Sequence, residues 1–153
     1  MIKQLIPVNF CLKCKGCCRF SKAQTSWSVS LLKEEAGELL NNNKIRPVPY
    51  EDYYICPLLN LEDNKCKIYG ARPFECQLYP FLIRKHQKKV FLAVDLKCLF
   101  ANDNLESKEF KEYIGYLSDF LNGSGGGKVL KNNPQIIKEY GAVVNLGEIK
   151  VDL

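Results

Sequence analysis

The chain has 153 residues, of which 46% are hydrophobic and 25% charged, a formal net charge of +5 and eight cysteines. That length can bury a core without cross-links, and a cysteine share of about 5% falls below the ~8–10% of small secreted disulfide scaffolds. No apolar run approaches the ~20 residues of a membrane helix, and the first ten residues hold one lysine and a short apolar run broken by Pro7, unlike a secretory leader. The expected setting is the cytoplasm, with no membrane association, where thiols stay reduced and cysteine clusters point to metal or redox chemistry.

The net charge counts cysteine as neutral. A four-thiolate centre carries about −2, whether it holds Zn²⁺ or an oxidised four-iron cluster, so two such centres would bring +5 down to about +1. The basicity then balances thiolate charge and gives no strong nucleic-acid signal.

In chain order, Cys11, Cys14, Cys17 and Cys18 come first, spaced C-x2-C-x2-C-C. Residues 11–20 are dense in cysteine and read as a ligand loop. Ser28 or Ser30 can cap a helix over 31–41, with Leu31, Leu32, Leu39 and Leu40 on its apolar side and Glu34 and Glu35 in its first turn. Asn41 to Asn43 end it, and Pro47 and Pro49 force an extended approach to Cys56. Residues 60–65 read as a turn that brings Cys56 and Cys66 near each other, and Pro73 starts a helical piece over 72–78. Residues 81–85 and 90–96 form a β-hairpin that delivers Cys98. Phe110, Ile114, Leu117 and Leu121 mark a helix over 105–121. Residues 123–127 read as a flexible glycine linker, because they lack the G-K-[ST] ending of a phosphate loop. Asn133-Pro134 begins a short helix, and 142–152 a final strand or hairpin.

Spacings of two let thiolates converge from one tight turn onto one ion or cluster. In bacterial ferredoxins three such ligands are completed by a remote cysteine followed by proline. Cys56-Pro57 fits that role, which groups Cys11, Cys14 and Cys17 with Cys56. Cys18, adjacent to Cys17, points to the opposite face of an extended backbone and would serve a second centre with Cys66, Cys76 and Cys98. One four-ligand site with four spare thiols fits the spacing nearly as well. The all-thiolate set leans toward iron–sulfur, with zinc as the alternative; the only histidine, His86, lies in the hairpin turn away from any cysteine spacing.

Cys11-Leu-Lys-Cys14-Lys-Gly-Cys17-Cys18-Arg19, Cys56-Pro57-Leu58-Leu59, Cys66-Lys-Ile68-Tyr69, Arg72-Pro73-Phe74-Glu75-Cys76, Tyr79-Pro80-Phe81 and Cys98 follow one another in order. In this the chain resembles the YkgJ-like cysteine-cluster family, also known as CxxCxxCC or zinc- or iron-chelating domain proteins, which includes relatives of flagellin N-methylase. The resemblance covers about residues 10–98; Tyr79 stands where many members carry phenylalanine. It implies that all eight cysteines are metal-ligand candidates. It implies no settled reaction, since members are described as iron–sulfur oxidoreductases, metal-chelating proteins or methylase relatives.

Arg72 reads as an anchor for the turn before Cys76, or as a donor to cluster sulfurs. Tyr53, Tyr54, Tyr69 and Tyr79 read as packing around the site, Trp27 as a core anchor, and His86 with Lys85, Lys88 and Lys89 as a solvated basic hairpin tip or a docking patch for an acidic partner. Lys13, Lys15 and Arg19 would favour the more negative, reduced state of a cluster. No catalytic residue is assigned. The expected architecture is α+β: a small single domain with a cysteine-rich metal-binding loop core, a β-hairpin and a few helices. Its expected parts are residues 1–122, a linker at 123–127 and an appendage at 128–153. The expected cofactor is an iron–sulfur cluster of the [4Fe-4S] type, or else zinc. The expected role is redox or accessory, for a partner protein. The alternatives are a structural zinc module for protein interaction and an S-adenosylmethionine-dependent protein lysine methylase-type enzyme.

Overall fold

The computed structural model describes residues 2–39 and 43–151. The chain is α+β and divides into two compact units, Met1–Gln77 and Leu78–Leu153.

The first unit opens with helix α1 (Val8–Cys14), entered from Pro7 and stopped by Lys15 in the left-handed region at φ 48°. The Pro7 carbonyl starts the first turn, accepting the Phe10 N–H at 3.0 Å and the Cys11 N–H at 3.3 Å. The reading of 11–20 as a loop is thereby corrected: Cys11 and Cys14 lie on the helix, three residues apart and on one face. Strand β1 (Arg19–Phe20) follows Cys18, which is also left-handed at φ 63°.

Helix α2 (Lys33–Leu39) starts two residues later than expected. Its opening is held by Glu35 Oε2, which accepts the Leu32 N–H at 2.9 Å, and not by Ser28 or Ser30. Both serines are buried. Val29–Leu31 instead pairs strand-like with 43–45: the Leu31 N–H donates to the Asn43 carbonyl and the Ile45 N–H to that of Val29, each at 2.9 Å. Leu40, Asn41 and Asn42, expected to finish the helix, lie outside the described residues.

Strands β2 (Val48–Tyr50) and β3 (Tyr53–Ile55) form a hairpin, and β1 pairs with the other edge of β3, giving the antiparallel order β1-β3-β2. Tyr50 and Tyr53 close the hairpin edge to face, with ring centroids 5.5 Å apart. Strands β4 (Leu59–Asn60) and β5 (Lys65–Cys66) make a separate small ribbon whose turn covers the predicted 60–65. A 3₁₀ turn at Tyr69–Ala71 leads to helix α3 (Phe74–Leu78). The core of this unit is Leu31, Ile45, Ile55, Cys56 and Leu59, with Cys18, Phe20, Val29 and Leu58 among the half-buried neighbours packed on it. A thiol pair thus sits inside an apolar cluster, where each fully buried aliphatic side chain stabilises the fold by roughly 1.5–3 kcal/mol.

The second unit is built on the hairpin β6 (Phe81–His86) and β7 (Lys89–Val94). Its two-residue turn, Gln87-Lys88, has positive φ at both positions, as the mirror-image turns of tight hairpins require. Helix α4 (Leu99–Asn104) follows, then helix α5 (Lys108–Asn122), capped by Ser107 Oγ accepting from the Phe110 N–H. Phe110, Tyr113, Leu117 and Leu121 of α5 are buried, with Phe110 and Tyr113 against Phe81 at 5.2 and 5.3 Å between ring centroids.

Residues 124–127 are not a linker: they open helix α6 (Ser124–Asn132), which turns back onto α5. Gly126 allows the close approach, because a methyl group there would run into the carbonyl of Phe120. A 3₁₀ turn at Pro134–Ile136 precedes β8 (Val144–Ile149), which pairs antiparallel with β7. The tail expected as an appendage therefore completes the sheet β6-β7-β8. Among the described residues no helix is long and apolar enough to cross a membrane.

Candidate metal centre

Sheet register brings the first two thiols together. Arg19 pairs with Ile55 and Phe20 with Tyr54, so one step further along the ladder Cys18 lies opposite Cys56. The Cys56 N–H donates to the Cys18 carbonyl at 2.9 Å. Their side chains also share a hydrogen bond.

The segment Cys56-Pro57-Leu58-Leu59 curls back on itself, with the Leu59 N–H donating to the Cys56 carbonyl at 3.0 Å. The backbone amides of Leu58 and Leu59 also favour the ionised form of Cys56. Leu59 pairs with Cys66 across the β4–β5 ribbon, and the Lys67 N–H donates to the Leu58 carbonyl at 2.8 Å. The Cys66 sulfur in turn accepts from the Ile68 N–H. Backbone dipoles aimed at sulfur stabilise thiolate over thiol, as metal-ligating cysteines require.

The fourth thiol, Cys76, sits on α3. Glu35 Oε1 fixes the start of that helix by accepting the Phe74 N–H at 2.7 Å, while Oε2 of the same carboxylate holds the start of α2. Glu75 Oε2 accepts the Ser30 N–H at 2.7 Å and ties α3 to the 29–31 segment. Arg72, just before the helix, donates from Nε to the Tyr69 carbonyl at 3.1 Å and stacks over the Tyr69 ring at 3.9 Å. This is the anchoring role expected of it, and its charge also reaches Cys66 and Cys76.

The thiols affect one another's acidity. Cys56 is lowered to about 7, chiefly by the hydrogen bond from Cys18, with burial opposing and the Leu58 and Leu59 amides and Lys67 assisting. Cys18 is pushed up by that same bond, then by burial and by the charges of Cys56, Cys76 and Cys17. Burial raises Cys66, and raises Cys76 strongly; nearby Cys56 adds to both. Arg72 opposes the rise at Cys66 and Cys76, and Lys67 helps lower Cys56, where the sequence pointed to Lys13, Lys15 and Arg19.

Arg19 does structural work instead. It donates to the Cys17 carbonyl at 3.3 Å and to Asn64 Oδ1 at 2.9 Å. Asn64, left-handed at φ 57° in the β4–β5 turn, donates from Nδ2 to the carbonyls of Leu12 at 2.8 Å and Cys11 at 3.3 Å. The turn therefore holds the last carbonyls of α1 beside the ribbon that carries Cys66. Sequence reading missed Asn64 and Glu35. Asp63-Asn64 carried a turn signal for the first; Glu35 stands three residues after Leu32, as in a capping box, but without the usual serine.

The ladder sets Cys18 opposite Cys56, the charges of Cys17 and Cys76 also act on Cys18, and that of Cys56 acts on Cys66 and Cys76. Cys56 joins Cys18, and the expected grouping of Cys56 with Cys11, Cys14 and Cys17 is not what the ladder produces. Cys14 keeps its sulfur near Gly16, where an added methyl carbon would stand 3.3 Å away. Cys98 belongs to the second unit, buried at the start of α4, with its N–H donating to the Asp95 carbonyl at 3.2 Å. Among the described residues, no group of three or more His, Cys, Asp or Glu side chains is placed to hold a metal ion. The donor set nevertheless suits a thiophilic metal: neighbouring thiols, amide N–H groups on two sulfurs, flanking cations and apolar walls.

The family model for CxxCxxCC, described as a "putative zinc- or iron-chelating domain", matches residues 10–109. The chain belongs to this family. All eight cysteines fall within the CxxCxxCC match, and a metal-binding cysteine cluster is what the family description supports. The chain is also 26% identical over 129 residues to uncharacterized protein MJ0661 of Methanocaldococcus jannaschii, a match spanning 72% of this chain and 69% of that protein. No solved structure matches it.

Proposed function

We propose that this CxxCxxCC protein carries an iron–sulfur cluster in a redox or accessory role for a partner enzyme. The observation that most supports this reading is the pairing of Cys18 with Cys56 at the edge of the apolar core, within a family described as zinc- or iron-chelating, with Cys17, Cys66 and Cys76 close enough for their charges to act in the same cluster. A bound cluster supplies one-electron transfer with little ligand movement. The chain supplies the rest. The amides of Leu58, Leu59 and Ile68 stabilise negative sulfur, Lys67 and Arg72 offset the charge that thiolates add, and Ile55 and Leu59 form an apolar wall. Protein purified without oxygen should be brown, contain iron and acid-labile sulfide in matching amounts, and bleach with dithionite. Colourless protein with stoichiometric zinc would replace this reading.

That second reading, a closed zinc centre in a protein-interaction module, draws on one observation. Cys56 belongs to the hydrophobic core and Cys18 packs on it, so an ion held there would staple β1 and β3 to the β4–β5 ribbon.

A further inference from the structure

We infer that the open edge of β8, with the lysines at its end, is a docking site for an extended acidic segment of a partner protein. The inference goes beyond the metal-binding reading and does not rest on it, because every residue it uses lies in the second unit.

The sheet offers one open edge. The outer side of β6 is occupied: the Lys138 N–H donates to the Ile83 carbonyl at 3.1 Å, and the Lys85 N–H to the Lys138 carbonyl at 2.8 Å. On the other side the order β6-β7-β8 ends at β8, which pairs only with β7 among the described residues. An edge strand presents a row of backbone donors and acceptors that an added strand can pair with. Asn122 Oδ1 holds the end of β8 to α5, accepting the Lys150 N–H at 2.8 Å.

Charge decides the occupant. Beside this end of β8 lies a groove of about 500 Å³, with Lys88, Lys89 and Lys150 around it and Val90 and Ile149 in its apolar lining. Its one carboxylate, Glu148, is taken by Lys89 at 2.7 Å. Lys88 and Lys150 are exposed and form no ion pair among the described residues. His86 pairs with Lys89 across the hairpin, and Lys150 follows the Val90–Ile149 pair on the neighbouring strand. Like charges on neighbouring strands repel. Lys88 also sits at φ 64°, in a turn position that glycine occupies at lower cost. The free protein thus keeps, against its own stability, a cluster of cations that carboxylates would neutralise. Among polyanions, a peptide alone can use both the lysines and the backbone groups of β8.

The test titrates the reduced full-length chain with a synthetic peptide of about ten residues that alternates glutamate and valine, followed by amide NMR shifts. Saturable binding is expected, weakened by salt, with the largest shifts at Gly147 to Lys150. The K88E/K150E variant should bind about tenfold more weakly or worse, whereas K108E/K111E, with the same charge change on α5, should bind as the wild type does. Amide spectra report whether each variant is folded. K88Q/K150Q, which removes only the charge, should lose affinity as well. No saturable binding, shifts confined to residues outside 147–151, equal loss in K108E/K111E, or tighter binding of a single-stranded oligonucleotide of equal charge would each overturn the proposal. None of these outcomes bears on the metal content, so the two readings fail separately.

Discussion

Cys18 stands opposite Cys56 at the end of the β1–β3 ladder, joined by a 2.9 Å backbone hydrogen bond and a second bond between the thiols. β1 has only two residues, so this corner of the fold relies on few backbone contacts. A metal shared with Cys66 would add a link of a different kind, between two small sheets. Ligands that bind only the folded state stabilise it by mass action, by about 4 kcal/mol at a thousandfold excess over Kd. Removing metal with a chelator should therefore speed amide hydrogen exchange in β1, β3, β4 and β5, while β6, β7 and β8, built on the separate core of Phe81 and Phe110, keep their protection. Equal loss in both units would count against a centre confined to the first.

Asn64 ties α1 to the β4–β5 turn through two side-chain hydrogen bonds and accepts a third from Arg19 of β1. Asn64→Ala should lower stability by about 1–3 kcal/mol, because it removes those bonds and places alanine at positive φ. Asn64→Gly should lose less, since glycine accepts φ 57° without strain. Urea unfolding of the three proteins gives the order; equal losses would show that the backbone conformation contributes nothing.

The glycine run offers a matched pair. Gly125 is exposed with open space around its missing side chain, whereas Gly126 is pressed against Phe120 and Leu121. Gly125→Ala should stabilise by up to ~1 kcal/mol through helix propensity. Gly126→Ala should destabilise by about 1–3 kcal/mol through overpacking. Were both neutral in thermal melts, residues 124–127 would be behaving as a linker after all.

Alkaline pH should weaken the second unit through Tyr113. Its hydroxyl is pushed up to about 12 by burial, with Tyr116 adding to the effect. Below the ordinary tyrosine pKa of ~10 the group is protonated in both folded and unfolded chains. Between there and about 12 the unfolded chain releases its proton first, so stability falls as pH rises. Tyr113→Phe should flatten that fall in urea midpoints measured across the window; an unchanged slope would assign it to other groups.

Periodicity made α5 and the hairpin of β6 and β7 legible, because Phe110, Leu117 and Leu121 face one core and the two strands alternate with a tight turn. The cysteines were legible as ligands by spacing. Their partners were not, because Cys18 meets Cys56 through a register that joins residues 38 positions apart. The C-x2-C run suggested a loop, yet Val8–Cys14 is helical, since Pro7 starts the turn and Lys15 stops it. The glycines at 125–127 argued for flexibility, and packing against α5 overrode their poor helix propensity.

The most direct measurement is iron, zinc and acid-labile sulfide per chain, on protein purified without oxygen, for the wild type and for Cys56→Ser. Iron and sulfide in equal amounts are expected in the wild type, and loss of both in the variant. A wild-type chain with no bound metal, or a Cys56→Ser variant that keeps its full complement, would contradict this.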